Sequence, residues 1–181
     1  MKQKLLLHAC CGPCSSAILE EYHKHFDITL YYYNPCITNE DEYNKRADEL
    51  ISLVHDKMDL DINIVCEYFN PDSFHAWADE LSDEPEGGKR CALCYRQRLI
   101  NTAKYAKDHG FEYFSTTLTI SPYKDSAMIN SIGRQCGCEN NVMYMPFDFG
   151  YLYPRSLELC EKYHLYQQDY CGCEFSKKCG L

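Results

Sequence analysis

A chain of 181 residues with 45% hydrophobic content is the size of one domain with a substantial core, expected to span residues 1–181. A formal net charge of −9 excludes a generally basic nucleic-acid-binding surface, though not a local basic path. Thirteen cysteines, an odd number gathered in clusters, argue for metal-binding or catalytic thiols rather than a disulfide framework.

In chain order, Lys4 to Ala9 predicts a short buried strand, and Pro13 to His25 a helix that offers Ala17, Ile18, Leu19 and Tyr22 to the core. Asp27 to Tyr33, rich in β-branched and aromatic residues and stopped by Asn34-Pro35, is the second strand. From Asn39 a capped helix runs through Tyr43, Ala47, Leu50, Ile51 and Val54, with Glu40, Asp41 and Glu42 favourably placed in its first turn. Ile62 to Tyr68 supplies a third strand, Pro71 to Leu81 a short helix with Trp77, and Ser82 to Lys89 a loop. Cys91 to His109 has helical periodicity and ends at Gly110. Tyr113 to Thr117 is a fourth strand, followed by a polar turn over 119–123 and a helix over Asp125 to Gln135. Val142 to Met145 is a fifth strand and Pro154 to Tyr163 the last helix, before a cysteine-rich tail. Strands alternating with helices predict an α/β fold: a three-layer, mostly parallel sheet with helices on both faces and functional loops beyond the carboxyl ends of the strands.

Cys10, Cys11 and Cys14 fall on the first such loop, His8-Ala9-Cys10-Cys11-Gly12-Pro13-Cys14-Ser15-Ser16. Exposed thiolates oxidise and pair, so three within five residues point to a soft metal that holds them. The plain alternative is small apolar residues packing a strand end. Cys91-Ala92-Leu93-Cys94 has the spacing with which two thiolates grip one metal at a helix start, where the positive end of the helix favours the thiolate. These five thiols exceed the four that a zinc ion or a cubane iron–sulfur cluster takes, so one stays free or a second metal shares the site. Cys171-Gly172-Cys173 suits a strained, labile redox disulfide, yet Cys136-Gly137-Cys138 has the same pattern and spacing does not choose between them. Cys36, Cys66, Cys160 and Cys179 read as packed or incidental thiols, and His8 as structural.

Several chemistries are excluded by spacing. Position 17 is alanine, which breaks the Cys-x-x-x-Cys-x-x-Cys pattern of radical chemistry on S-adenosylmethionine, and neither a ferredoxin run nor His-Glu-x-x-His occurs. No phosphate-cradling glycine loop implies ATP. The amino-terminal stretch mimics a lipoprotein signal, but only three apolar residues precede His8 where about seven or more are needed. No stretch is long enough to span a membrane, and a reducing, cytoplasmic setting is expected. Sixteen tyrosines offer stacking surfaces for unpaired bases, and Arg96 or Arg98, just past the second cysteine pair, is expected to face such a nucleic acid.

Taken together, His8 to Cys14, Tyr33-Asn34-Pro35, Cys91-Ala92-Leu93-Cys94-Tyr95-Arg96-Gln97-Arg98, Thr116-Thr117-Leu118-Thr119-Ile120-Ser121-Pro122 and Tyr166-Gln167-Gln168-Asp169-Tyr170-Cys171-Gly172-Cys173 resemble the QueH-type epoxyqueuosine reductases over essentially the whole chain. The resemblance implies a Rossmann-like (HUP-like) sheet carrying a cysteine-rich metal site at the carboxyl ends of its strands. It implies reduction of the epoxide of epoxyqueuosine to queuosine at the wobble position of tRNA, in the anticodon loop. It also implies a [4Fe-4S] cluster on Cys10, Cys11, Cys91 and Cys94, and assigns Cys171 and Cys173 as the redox-active pair, fed by an unidentified electron donor. Similar proteins can carry aspartate at the position of Cys14, where an additional mononuclear iron is associated with the cluster, so Cys14 is a candidate ligand of that iron. Cys36 stands where asparagine is common. Two other classes remain in view: a structural zinc protein with four cysteine ligands that binds RNA without catalysis, and a thiol-disulfide oxidoreductase working through Cys91 and Cys94.

Overall fold

The computed structural model describes residues 2–179, with side chains through residue 176; Cys179 therefore lies outside the described side chains. Five strands, β1 (Gln3–His8), β2 (Phe26–Tyr32), β3 (Asn63–Cys66), β4 (Tyr113–Thr116) and β5 (Met143–Tyr144), form one sheet in the order β3-β2-β1-β4-β5. Every pairing is parallel, with Leu5 opposite both Ile28 and Tyr113.

Both faces of the sheet are covered, which is why the central strand reads as a continuous apolar run. Leu5 and Leu7 point to one face and join Ala17, Ile18 and Leu19 of α1 (Gly12–Tyr22), Leu50 of α2 (Glu40–Ser52) and Leu159 of α6 (Tyr153–Tyr163). Leu6 points to the other, among Leu99 and Ala103 of α4 (Lys89–Asp108) and Ile129 of α5 (Ser126–Asn140). Leu5, Leu6 and Leu7 are each at most 1% exposed, and burial of such a side chain contributes about 1.5–3 kcal/mol. Asn39 caps α2 by accepting from the Glu42 amide at 2.8 Å, as expected. Beyond Ser52 the helix widens into a π turn, in which the Met58 amide reaches Leu53 O. A seven-residue α3 (Asp72–Ala78) carries Trp77.

The largest departure from expectation is α5, which continues five residues past Gln135 and ends on Asn141 in the left-handed region. Gly133 and Gly137 both lie inside this helix, where their missing Cβ atoms let it lie directly on β5. A Cβ on Gly133 would stand 2.4 Å from the Tyr144 ring, and one on Gly137 2.6 Å from Val142 O. The Tyr144 hydroxyl is tied to Asn130 Oδ1 at 2.9 Å, so the ring has little room to swing away. Gly133→Ala is therefore expected to destabilise by about 2 kcal/mol net, although alanine favours a helix by ~1 kcal/mol. Thermal unfolding followed by circular dichroism should fall by roughly 4–8 °C; an unchanged midpoint would show that the Tyr144 ring yields freely.

Candidate metal and redox site

Strand order reverses between β1 and β4, and the loops after these two strands part there to leave a crevice at their carboxyl ends. Cys11 is the N-cap of α1, so Cys10, Cys11 and Cys14 surround the amino end of that helix. Their sulfurs all lie within 4.8 Å of one another, with Cys10 Sγ 3.8 Å from Cys11 Sγ. Thr117, from the loop after β4, fixes Cys10 from the far side: its Oγ1 accepts from the Cys10 amide at 3.2 Å, and its hydroxyl donates to Cys10 Sγ at 3.4 Å.

The amino end of α4 arrives at the same crevice with Cys91 and Cys94, one turn apart. A cavity of about 210 Å³ is lined by Cys14, Cys36, Cys91, Cys94, Cys171 and Cys173, among others. Two helix amino ends thus border one cavity, reached by Cys14 from the first and by Cys91 and Cys94 from the second, while Cys10 and Cys11 stand behind Cys14 outside its lining. The loop that delivers Cys91 is held from within by Arg90, 2% exposed, whose Nη1 donates to Leu81 O and Glu84 O at 2.7 Å and to Ser82 O at 3.2 Å. Its guanidinium lies 4.9 Å from the centre of the Phe175 ring, so the same side chain touches the tail. Glu84 in turn accepts from the Lys89 amide at 3.0 Å, occupying an otherwise open donor of α4, and the Gly87 amide donates to Cys91 Sγ at 3.3 Å. Arg90→Met leaves three loop carbonyls without their donor. It should cost about 2–3 kcal/mol in urea unfolding and expose residues 82–88 to limited proteolysis; a loop as resistant as the parent's would refute this role.

The thiols share their protons unequally. S–H bonds from Cys11 and Cys14, with the Lys124 charge adding to them, hold Cys10 well below the ordinary thiol range. The hydrogen bond to Cys10 in return pushes Cys11 up to about 12 and Cys14 well above its usual value. A second pair behaves alike: the Cys94 S–H lowers Cys36 to about 7 and is itself held high. In the tail, a hydrogen bond from Cys173 lowers Cys171 strongly and raises Cys173. Burial raises Cys91. The described cysteines are all free thiols.

Cations offset this negative charge in an otherwise acidic chain. Burial opposes the Arg98 guanidinium, but Cys94 and Cys36 outweigh it, and Arg98 Nη2 donates to Cys94 Sγ at 3.2 Å. Lys124 lines the cavity, and Cys14, Cys10 and Cys171 hold its ammonium charged against the cost of burial. Gln168 closes one side, its Nε2 3.0 Å from Cys11 Sγ.

His8 is structural, as expected. Fully buried, it is pushed down to about 4, chiefly by burial and then by the Arg98 charge. A neutral ring donates from Nε2 to Tyr33 O at 3.1 Å and accepts at Nδ1 from the Thr116 hydroxyl at 2.9 Å, joining the ends of three strands. Arg98 turns inward onto Cys94, so of the two arginines only Arg96 reaches the surface, where it pairs with Glu139 at 2.9 Å. Cys36, read as incidental, belongs to the cavity wall beside Cys94. Cys160 also touches the cavity, whereas Cys66 is exposed at the end of β3. Cys136 and Cys138 sit inside α5, two helical positions apart, so one is buried and the other exposed. Side chains so placed point to opposite sides of a helix and do not pair.

The donor set fits a soft metal centre: thiolates from two helix starts, cations to offset them and a crevice that admits a small group. A family model described as epoxyqueuosine reductase QueH matches residues 5–179. The chain belongs to the QueH family. Curated relatives carrying that description include proteins of Staphylococcus epidermidis, 37% identical over 97% of this chain and 76% of the relative, and of Streptococcus pyogenes, 38% identical over 98% and 72%. A third, from Thermotoga maritima, is 31% identical over 95% of this chain and 89% of the relative. Membership of the QueH family makes the chain an oxidoreductase. Among the described residues no helix is long and apolar enough to cross a membrane.

Proposed function

We propose that the chain reduces epoxyqueuosine to queuosine at the wobble position of tRNA, acting on the nucleoside within the anticodon loop. The observation that carries this reading is the convergence of three cysteine groups, distant in sequence, around one cavity. Cys10, Cys11, Cys91 and Cys94 would hold a [4Fe-4S] cluster and Cys14 an additional iron, which together supply electrons singly and a Lewis acid that polarises the epoxide C–O bonds. Arg98 and Lys124 keep the accumulated thiolate charge tolerable. Cys171 and Cys173 store the two electrons that the reaction consumes. Both C–O bonds break, the oxygen leaves as water with two protons, the ring carbons become an alkene, and the dithiol becomes a disulfide. An external donor then restores the dithiol.

The second reading is a single tetrahedral ion. Two thiolates about 2.3 Å from one such ion stand about 3.8 Å apart, and Cys10 and Cys11 have that separation. Purification without oxygen, followed by iron, zinc and acid-labile sulfide analysis and turnover on tRNA carrying epoxyqueuosine, decides between them. The cluster reading expects about four or more irons per chain with matching sulfide, and queuosine as product. One zinc without sulfide, and no turnover, supports the other.

A further inference from the structure

Between Leu165 and Glu174 the tail forms no helix or strand, yet it carries both proposed redox thiols to the cavity. We propose that Arg46 is the positioning residue of the Cys171/Cys173 pair, an inference that rests on the redox role proposed for those cysteines.

Arg46 lies in the middle of α2 and is 2% exposed. Burying a guanidinium is costly unless its donors are used, and the tail uses them. Nε pairs with Glu42 at 2.6 Å, Nη2 donates to Tyr170 O at 3.3 Å and Nη1 to Cys171 O at 3.4 Å, while the Tyr170 ring centre lies 5.1 Å away. Two successive carbonyls therefore turn toward one side chain, and the chain must bend sharply after them. It does so at Gly172, where φ is +104°. A Cβ there would stand 2.7 Å from Ile37 Cγ1 and 3.2 Å from Arg46 Nη1, so the glycine and the arginine are two halves of one grip. Glu42 completes it by accepting from the Tyr166 hydroxyl at 3.0 Å. One i,i+4 pair on α2 thus holds the tail at residues 166, 170 and 171. The planar fork is what serves two carbonyls and a carboxylate at once; an ammonium has no such geometry.

The test uses the full chain, purified without oxygen, as parent, Arg46→Gln, Arg46→Lys and Gly172→Ala. Each is equilibrated in glutathione buffers, the thiols are trapped by alkylation, and the Cys171–Cys173 disulfide is quantified by mass spectrometry. Iron, sulfide and helical circular dichroism should match the parent in all three variants. The exchange constant for the pair should fall at least tenfold, about 30 mV toward easier reduction, and kcat on tRNA should fall with KM unchanged. Arg46→Lys should fail like Arg46→Gln, because the fork and not the charge is at issue. Gly172→Ala should give the same shift with Arg46 intact, which keeps the test decisive if the arginine variants fold poorly. A parent that forms the disulfide and variants that form it within twofold overturn the positioning role alone. A parent that never forms it overturns the redox pair, and the positioning role with it.

Discussion

Cys94→Ala should lack the brown colour that the proposed cluster would give the parent, with iron, sulfide and turnover reduced by more than about 100-fold, since even loss of a group behind a metal ligand commonly costs 10–100-fold. Cys94 is buried one turn after Cys91 and holds Arg98 at 3.2 Å, so its removal takes away a proposed ligand and leaves a buried guanidinium facing an apolar methyl. Cys36 is the thiol beside it and the one able to stand in. The comparison therefore includes Cys36→Ala and the double variant. If Cys36→Ala keeps its iron while both variants lacking Cys94 lose it, the assignment stands. Full iron and sulfide in the Cys36→Ala/Cys94→Ala protein would falsify it.

The second large effect is expected of the tail. Cys171→Ser/Cys173→Ser should keep the iron content and visible spectrum of the parent, because neither sulfur belongs to the Cys10/Cys11/Cys14 cluster at the start of α1. Repeated turnover should drop by at least about two orders of magnitude, the proposed two-electron store having gone. Cys138→Ser, on the exposed side of α5, is the control and should turn over as the parent does. A double serine variant that cycles at the parental rate would leave electron delivery to the metal site alone.

Much of the fold was legible because local chemistry and tertiary packing agree. The run Leu5-Leu6-Leu7 is buried on both faces, Asn39 caps its helix, and Asn34-Pro35 stops its strand. The end of α5 was not legible, because residues 136–140 carry no sign that Gly137 lies against Val142 O or that Asn141 closes the helix in the left-handed region; those contacts exist only in the fold. The site divides similarly. Cys10, Cys11, Cys14, Cys91 and Cys94 announce themselves by spacing, whereas Cys36 stands alone in sequence and joins them only because the loop after β2 lies beside the loop after β1. A signal was available: it follows a strand at the carboxyl end of a parallel sheet. Arg98 and Arg46 left no such trace, since a charged residue on a helix reads as solvent-facing until the element packed against it is known.

The two apolar layers on either side of the sheet bear on how this protein would acquire the proposed metal centre. Leucine, isoleucine and aromatic side chains build most of both layers, while Cys36, Cys94 and Cys173 belong to the first and Cys14 and Cys10 pack against one layer each. Small zinc domains spend metal affinity on folding because no site exists beforehand. Here apolar burial supplies most of the scaffold, so folding of the polypeptide and insertion of the proposed metal centre should be separable events. The affinity of the thiols would then be available for retention, and a chain treated with a chelator should keep its helical circular dichroism.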